Sequence, residues 1–243
     1  QDRLETEKLI RTLKPDLCVV SGWYWLISQD TLNFVPRGFI GIHNSLLPKY
    51  RGGSPLVWTM INGEQKAGVT LFSFTTGMDD GDIWDQRTIE IEFTDYVSDV
   101  LKKLEDKALC ILREKYLDIL KNKAKAIPQD SSEATYCAQR FPFDGLIDWK
   151  KTAVEVYNFV RAQSEPYPGA FTMYEGKKLT IWRAHPENIT FYGTPGQVAR
   201  ITDSGVYVIC GNQKPLVLDV VELEGKGDKE AANKVINSIK TRF

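Results

Sequence analysis

A chain of 243 residues, 42% hydrophobic and 26% charged, can bury one large core or two small ones, and its composition excludes a chain disordered along its length. With a formal net charge of −1 and a pI of about 6.2, it has no excess of positive charge to hold a polyanion without a local patch, which counts against RNA as substrate. The four cysteines, Cys18, Cys110, Cys137 and Cys210, form no C-x-x-C pair, so a metal site has little support and a reducing, cytoplasmic setting fits best.

Leu4, Leu9, Ile10 and Leu13 recur among charges, the pattern of an amphipathic helix already under way at the first residue, and the chain reads as starting inside a domain. Leu17 to Val20 follow as a continuous apolar run, which predicts a strand buried on both faces in a parallel sheet, with Cys18 in the core and Gly22 at its end. Around it, Leu17 to Ile27 is interrupted by Ser21 and Gly22 and is too short to cross a membrane. No secretory leader precedes it, so the chain reads as neither spanning nor exported. Trp23, Tyr24 and Trp25 read as core and rim aromatics. Phe39 to His43 and Gly68 to Phe74 are further strand candidates, and Ser54 to Asn62 between them has helical spacing at Leu56, Met60 and Ile61. Strand, helix and strand in that order predict a right-handed parallel crossover. From Thr94 to Lys121, Leu101, Leu104, Ala108, Ile111 or Leu112, Tyr116 and Ile119 mark a long surface helix.

Asn122 to Ser132 is mostly polar, contains Pro128 and lacks any period, which reads as a linker. The domain division expected is therefore a catalytic domain over 1–127, a linker over 128–138 and a C-terminal domain over 139–243. Within the last, Thr152 to Ala162 is helical through Val154, Val156, Phe159 and Val160. Lys178 to Trp182, Gln197 to Ile201, Gly205 to Cys210 and Leu216 to Val221 alternate with period two and suggest a small barrel. Gly225 to Phe243 reads as a packed-back helix or a tail.

His43 is one of only two histidines and stands where a predicted strand ends, the place where open parallel sheets bind ligands. After the strand Val69 to Phe74, the turn Thr75-Thr76-Gly77-Met78-Asp79-Asp80-Gly81-Asp82 puts three carboxylates on a glycine-containing loop expected at the same sheet edge. A carboxylate there would hold His43 in one tautomer and raise its basicity, which suits proton transfer to and from an amine near neutral pH. Asp80 and Asp82 read as turn-capping residues. His185, beside Pro186, reads as surface.

Gly41-Ile42-His43-Asn44-Ser45-Leu46-Leu47-Pro48-Lys49-Tyr50-Arg51-Gly52-Gly53 resembles the Asn-x-His-x-Ser-Leu-Leu-Pro signature of the folate-dependent formyltransferases. Met78-Asp79-Asp80-Gly81-Asp82 resembles their hydrophobic-Asp-x-Gly-Asp signature, and 36 residues separate His43 from Asp79. Past the linker, Asp144 to Trp149 and Arg161 to Phe171 look like the C-terminal domain of the methionyl-tRNA and nucleotide-sugar branches. The resemblance implies a Rossmann-like α/β catalytic domain whose first β-α-β part is missing here, followed by an OB-like barrel.

It implies 10-formyltetrahydrofolate as co-substrate, with the pteridine against Trp25, Leu26 and Ile27 and against Thr75, Thr76, Gly77, Met78 and Asp79, and no metal. In that reading His43 manages the proton of the acceptor amine and Asp79 orients it. Ser45, Lys49, Tyr50 and Arg51 face the acceptor, Lys49 and Arg51 being the nearest cations for a phosphate. The signature's Asn falls at Gly41 here, so the donor to the developing oxyanion passes to Asn44, a backbone N–H or protonated His43.

The acceptor expected is a nucleotide-linked amino sugar, because Gln139 to Phe243 carry 14 Lys and Arg against 12 Asp and Glu, too balanced a surface for an obvious tRNA-binding domain. Methionyl-tRNA is the alternative, and a non-catalytic folate- or sugar-binding protein is the alternative of another class. The assembly is open to a homodimer.

Overall fold

The computed structural model describes residues 3–23 and 25–243, so Tyr24 lies outside it. The described residues up to Thr59, with Gln65–Glu92 and Val100–Gln139, form one compact unit, and Met60–Glu64, Phe93–Asp99 and Arg140–Phe243 form a second. Among the described residues no helix is long and apolar enough to cross a membrane.

The first unit opens with α1 (Arg3–Leu13), β1 (Cys18–Val20), α2 (Gln29–Phe34) and β2 (Phe39–His43). It continues through β3 (Arg51–Gly52), α3 (Pro55–Ile61, whose last two residues fall in the second unit), β4 (Lys66–Ser73), β5 (Ile83–Glu90), α4 (Val97–Leu120, whose first three residues fall in the second unit) and β6 (Tyr136–Cys137). Its sheet has the order β1-β2-β4-β5. Val20 pairs with Gly41 in the parallel β1–β2 ladder, but the strand is not buried on both faces as its continuous apolar run predicts: among the described residues it pairs only with β2, and Val19 is 48% exposed. The predicted parallel crossover does not form, because β4 runs antiparallel to β2, His43 facing Thr70 and Ile40 facing Ser73. The 22 residues between the two strands form the loop after His43, β3 and the seven-residue α3 rather than a single crossover helix. The core beneath β1 and β2 is Ile27, Val35 and Phe39, with Ile10, Cys18, Val20, Trp23 and Phe74 packed on it. α4 buries Leu104, Ile111 and Ile119 of the predicted stripe, together with Val97 and Val100, while Tyr116, also expected on it, is exposed.

The second unit holds α5 (Ala153–Gln163), β7 (Ala170–Tyr174), β8 (Lys177–Pro186), β9 (Val198–Thr202), β10 (Gly205–Ile209), β11 (Pro215–Leu223), β12 (Lys229–Ala231) and the single turn α6 (Ala232–Val235). All its strand pairs are antiparallel, in the order β7-β8-β11-β10-β9 with β12 on β11. Val156 and Val160 of α5 join Leu179, Ile181, Val206, Val208, Leu216 and Leu218 in its core. The expected packed-back end takes the form of α6 followed by a return that stacks Phe243 on Trp149, 5.7 Å between ring centroids.

Candidate active site

His43 is the last residue of β2, held between β1 and β4, and is 8% exposed. Its Nε2 lies 2.8 Å from the Tyr50 carbonyl oxygen. A carbonyl only accepts, so Nε2 carries the hydrogen, and in the neutral ring the lone pair is on Nδ1. Nδ1 faces the Asp79 carboxylate at 3.7 Å, beyond a hydrogen bond but within ion-pair range once the ring is charged. The Phe72 ring meets the imidazole edge to face at 6.1 Å.

Asp79 arrives by a route the sequence does not announce. Antiparallel β4 delivers Ser73 to Ile40, the end of β2 remote from His43, so strand order alone does not bring the two motifs to one sheet edge. The chain then doubles back over β2. A Cβ built on Gly41 would lie 2.2 Å from the Phe74 ring, so Phe74 passes directly over Gly41, and five residues later Asp79 reaches His43. There Asp79 has φ +50°, a left-handed conformation that Asp tolerates better than most residues. The Gly52 N–H donates to its Oδ2 at 2.8 Å. Gly52 itself, at φ +99°, leaves no room for a Cβ, which would sit 2.5 Å from the Cys137 carbonyl oxygen.

The loop after His43 is fixed from below. Thr70 Oγ1 donates to the Ser45 carbonyl at 2.7 Å and accepts from Leu47 N–H at 3.3 Å. Gln86 Nε2 donates to the Leu47 carbonyl at 3.0 Å and to Thr70 Oγ1 at 2.8 Å. Ser45 is buried and donates its hydroxyl to the Lys49 carbonyl at 2.7 Å. Arg51 is 2% exposed. Its Nε and Nη2 donate to Gln129 Oε1 at 3.0 and 2.7 Å, and Nη1 donates to the Tyr136 hydroxyl at 3.3 Å. Neither Ser45 nor Arg51 is therefore the acceptor-facing group expected: the hydroxyl shapes its own loop, and the guanidinium is spent inside the protein. Lys49 is exposed and Tyr50 half-buried.

Asn44 is half-buried beside His43. Trp25 and Leu26 are exposed, and Trp23 meets Trp25 edge to face at 5.3 Å, whereas Ile27 is a core residue. Because β1 and β2 are parallel, the segment carrying Trp25 and Leu26 leaves the sheet at the same end as His43. In the second loop Thr75 Oγ1 bonds Asp80 and accepts from Gly77 N–H at 3.0 Å, so Asp80 is a turn residue. Asp82 is exposed, and its backbone carbonyl accepts from Ser73 N–H. Thr76 and Met78 are exposed. Among the described residues no group of three His, Cys, Asp or Glu side chains is placed to hold a metal ion. The residues that sequence reasoning missed are Thr70, Gln86 and Gln129, buried or half-buried polar side chains whose only signal is a polar residue where packing alone would not require one.

Residues 1–115 match the formyl transferase family, and residues 141–239 match the formyl transferase C-terminal domain. The bifunctional polymyxin resistance protein ArnA of Wigglesworthia glossinidia brevipalpis is 42% identical over 188 residues, 76% of this chain and 28% of that protein. The methionyl-tRNA formyltransferase of Acetivibrio thermocellus is 37% identical over 218 residues, 87% of this chain and 68% of that protein. The chain thus spans little more than a quarter of the one and about two thirds of the other. Among solved structures, HypX from Aquifex aeolicus in complex with tetrahydrofolic acid superposes with a TM-score of 0.73 at 22% identity, over 96% of this chain and 40% of that one. An N-formyltransferase from Helicobacter canadensis in complex with folinic acid and dTDP-3-aminofucose gives 0.66 at 18% identity, over 82% and 72%. At such identities the two structures establish the shared fold.

Proposed function

The chain belongs to the formyl transferase family, and from that membership we propose that it moves a formyl group from 10-formyltetrahydrofolate to the amine of a nucleotide-linked amino sugar, with His43 as the proton-handling residue. The observation that carries the reading is the imidazole's arrangement: Nε2 committed to the Tyr50 carbonyl at 2.8 Å and Nδ1 turned toward the Asp79 carboxylate at 3.7 Å. A neutral amine is already nucleophilic, so such a site has to remove and return a proton rather than build a covalent adduct. Nδ1 takes that proton, the ring becomes a cation, and the carboxylate of Asp79 stabilises it. Orientation of the ring, assigned to Asp79 on sequence grounds, belongs to the Tyr50 carbonyl.

The folate, when bound, supplies an activated formyl carbon. Trp25 and Leu26 with Thr75, Thr76, Gly77 and Met78 are the residues that would hold it, with Ile27 supporting them from the core. Asn44, adjacent to His43, is the side-chain amide available to the formyl oxygen. Lys49 is the cation left for a phosphate of the acceptor, since Arg51 is buried. A cytoplasmic setting accords with four unpaired thiols.

The sugar reading is supported by the near-even charge of Gln139 to Phe243 and by likeness to a fold that binds dTDP-3-aminofucose in Helicobacter canadensis. The methionyl-tRNA reading is favoured by one observation, the 37% identity to a methionyl-tRNA formyltransferase. Assaying dTDP-3-aminofucose, a UDP-linked amino sugar and charged initiator tRNA at two salt concentrations decides between them. Turnover of a nucleotide sugar that is insensitive to salt is expected. Tight tRNA binding that weakens roughly a thousandfold between about 50 and 200 mM salt overturns the sugar reading. His43→Ala is expected to lower turnover by about 10²–10⁴, and unchanged turnover removes the assignment of an enzyme built on this residue.

A further inference from the structure

Gln129 lies in the aperiodic polar stretch after α4, yet its carboxamide touches both signature loops. Nε2 donates to the backbone carbonyls of Asp79 and Gly81 at 2.8 and 2.7 Å. Oε1 accepts two hydrogen bonds from the buried Arg51 guanidinium. A primary amide has two N–H groups and two lone-pair directions, and here all four are engaged. The stretch is pinned on both sides of it: Ile127 exchanges backbone hydrogen bonds with Ile83 at 2.8 Å each, and Tyr136–Cys137 pair in parallel with Arg51–Gly52.

We propose that Gln129 is the positioning residue for Asp79, an inference that rests on the reading of His43 and Asp79 given above. The Asp79 backbone sits at φ +50°, a conformation that persists only where the surroundings hold it. Two contacts hold it: Gly52 N–H grips the carboxylate, and Gln129 grips the carbonyl of the same residue and that of Gly81. Arg51 locks Gln129 in turn, which accounts for a guanidinium sealed from solvent beside a site that handles anions. No other side chain of this length supplies both halves. Glutamate keeps an acceptor for Arg51 but aims an oxygen at two carbonyls, and methionine satisfies neither side.

The test is a double-mutant cycle on purified protein, with 10-formyltetrahydrofolate and whichever acceptor of the panel above is turned over. Gln129→Met and Gln129→Glu are each expected to lower kcat about tenfold to a hundredfold, with KM for the folate within about threefold. In the Asp79→Ala background neither is expected to lower kcat further by more than about twofold. Gln129→Glu retains the Arg51 pairing and so carries the test if Gln129→Met does not fold. Wild-type kcat in both variants, or the same fractional loss with and without Asp79, overturns the proposal. Wild-type kcat in Asp79→Ala alone instead overturns the reading of Asp79 beneath it. Independently of turnover, a crystal structure of the Gln129→Glu protein is expected to show His43 Nδ1 and Asp79 Oδ2 further apart than 3.7 Å, and an unchanged separation overturns the proposal.

Discussion

A histidine that has given one ring hydrogen to a backbone carbonyl has no choice left about which nitrogen serves as a base. In the neutral protein, ¹⁵N spectra of His43 are expected to show the Nε2–H form, with Nδ1 unprotonated, because Tyr50 O lies 2.8 Å from Nε2. The opposite tautomer would mean that the loop after β2 does not hold the ring as described. Two residues before it, Gly41 is a matter of space: a Cβ would fall 2.2 Å from the Phe74 ring, which stacks on Phe72 at 5.1 Å. Gly41→Ala is expected to destabilise the protein by about 1–3 kcal/mol through overpacking, read from denaturant midpoints. Phe74→Ala in the same chain is expected to return part of that loss, since the two side chains compete for one volume.

At the scale of elements, α5 begins with a reciprocal cap: Glu155 N–H donates to Thr152 Oγ1 at 3.3 Å, and Thr152 N–H donates to Glu155 Oε2 at 2.8 Å. The Thr152 backbone and hydroxyl hold the Glu155 carboxyl below the usual carboxylate range. A depressed carboxylate contributes stability that is present above its unfolded value and lost as pH falls through its folded one. Thr152→Ala is therefore expected to cost about 0.5–2 kcal/mol near neutral pH, a difference that shrinks below about pH 4 in paired thermal melts. Burial pushes the Cys137 thiol up to about 11 and the Cys210 thiol up to about 12, while Cys110 is exposed on α4. One fast-reacting thiol is expected with a colorimetric disulfide reagent at neutral pH, and Cys110→Ser removes it.

What could be read from the residues follows from how each element is held. α4 and α5 write their burial as a 3.6-residue period and were legible as helices; β10 and β11 were legible as strands, though they are buried as runs and not in the period-two alternation expected. The six-residue α2 depends on one cap, Ser28 Oγ accepting from Thr31 N–H, and is too short to show a period. His43 and Asp79 were legible as motif residues, but the reversal of β4 and the passage of Phe74 over Gly41 depend on contacts between distant segments. Gln129 was invisible because hydrogen bonds to backbone carbonyls leave no periodic trace in sequence.

For the whole molecule, β1 is an edge: among the described residues it pairs only with β2. Val19 on that edge is 48% exposed, and Leu4, Leu9, Leu13, Trp25 and Leu26 are exposed nearby in sequence. The polar stretch after α4 also bears on any attempt to build chimeras. Its composition invites a splice near Asn122, but a graft joined there would take its Gln129, Tyr136 and Cys137 from the donor protein and so rebuild the catalytic half with foreign parts. A fusion junction placed beyond Gln139 keeps Gln129, Tyr136 and Cys137 with the loops they hold.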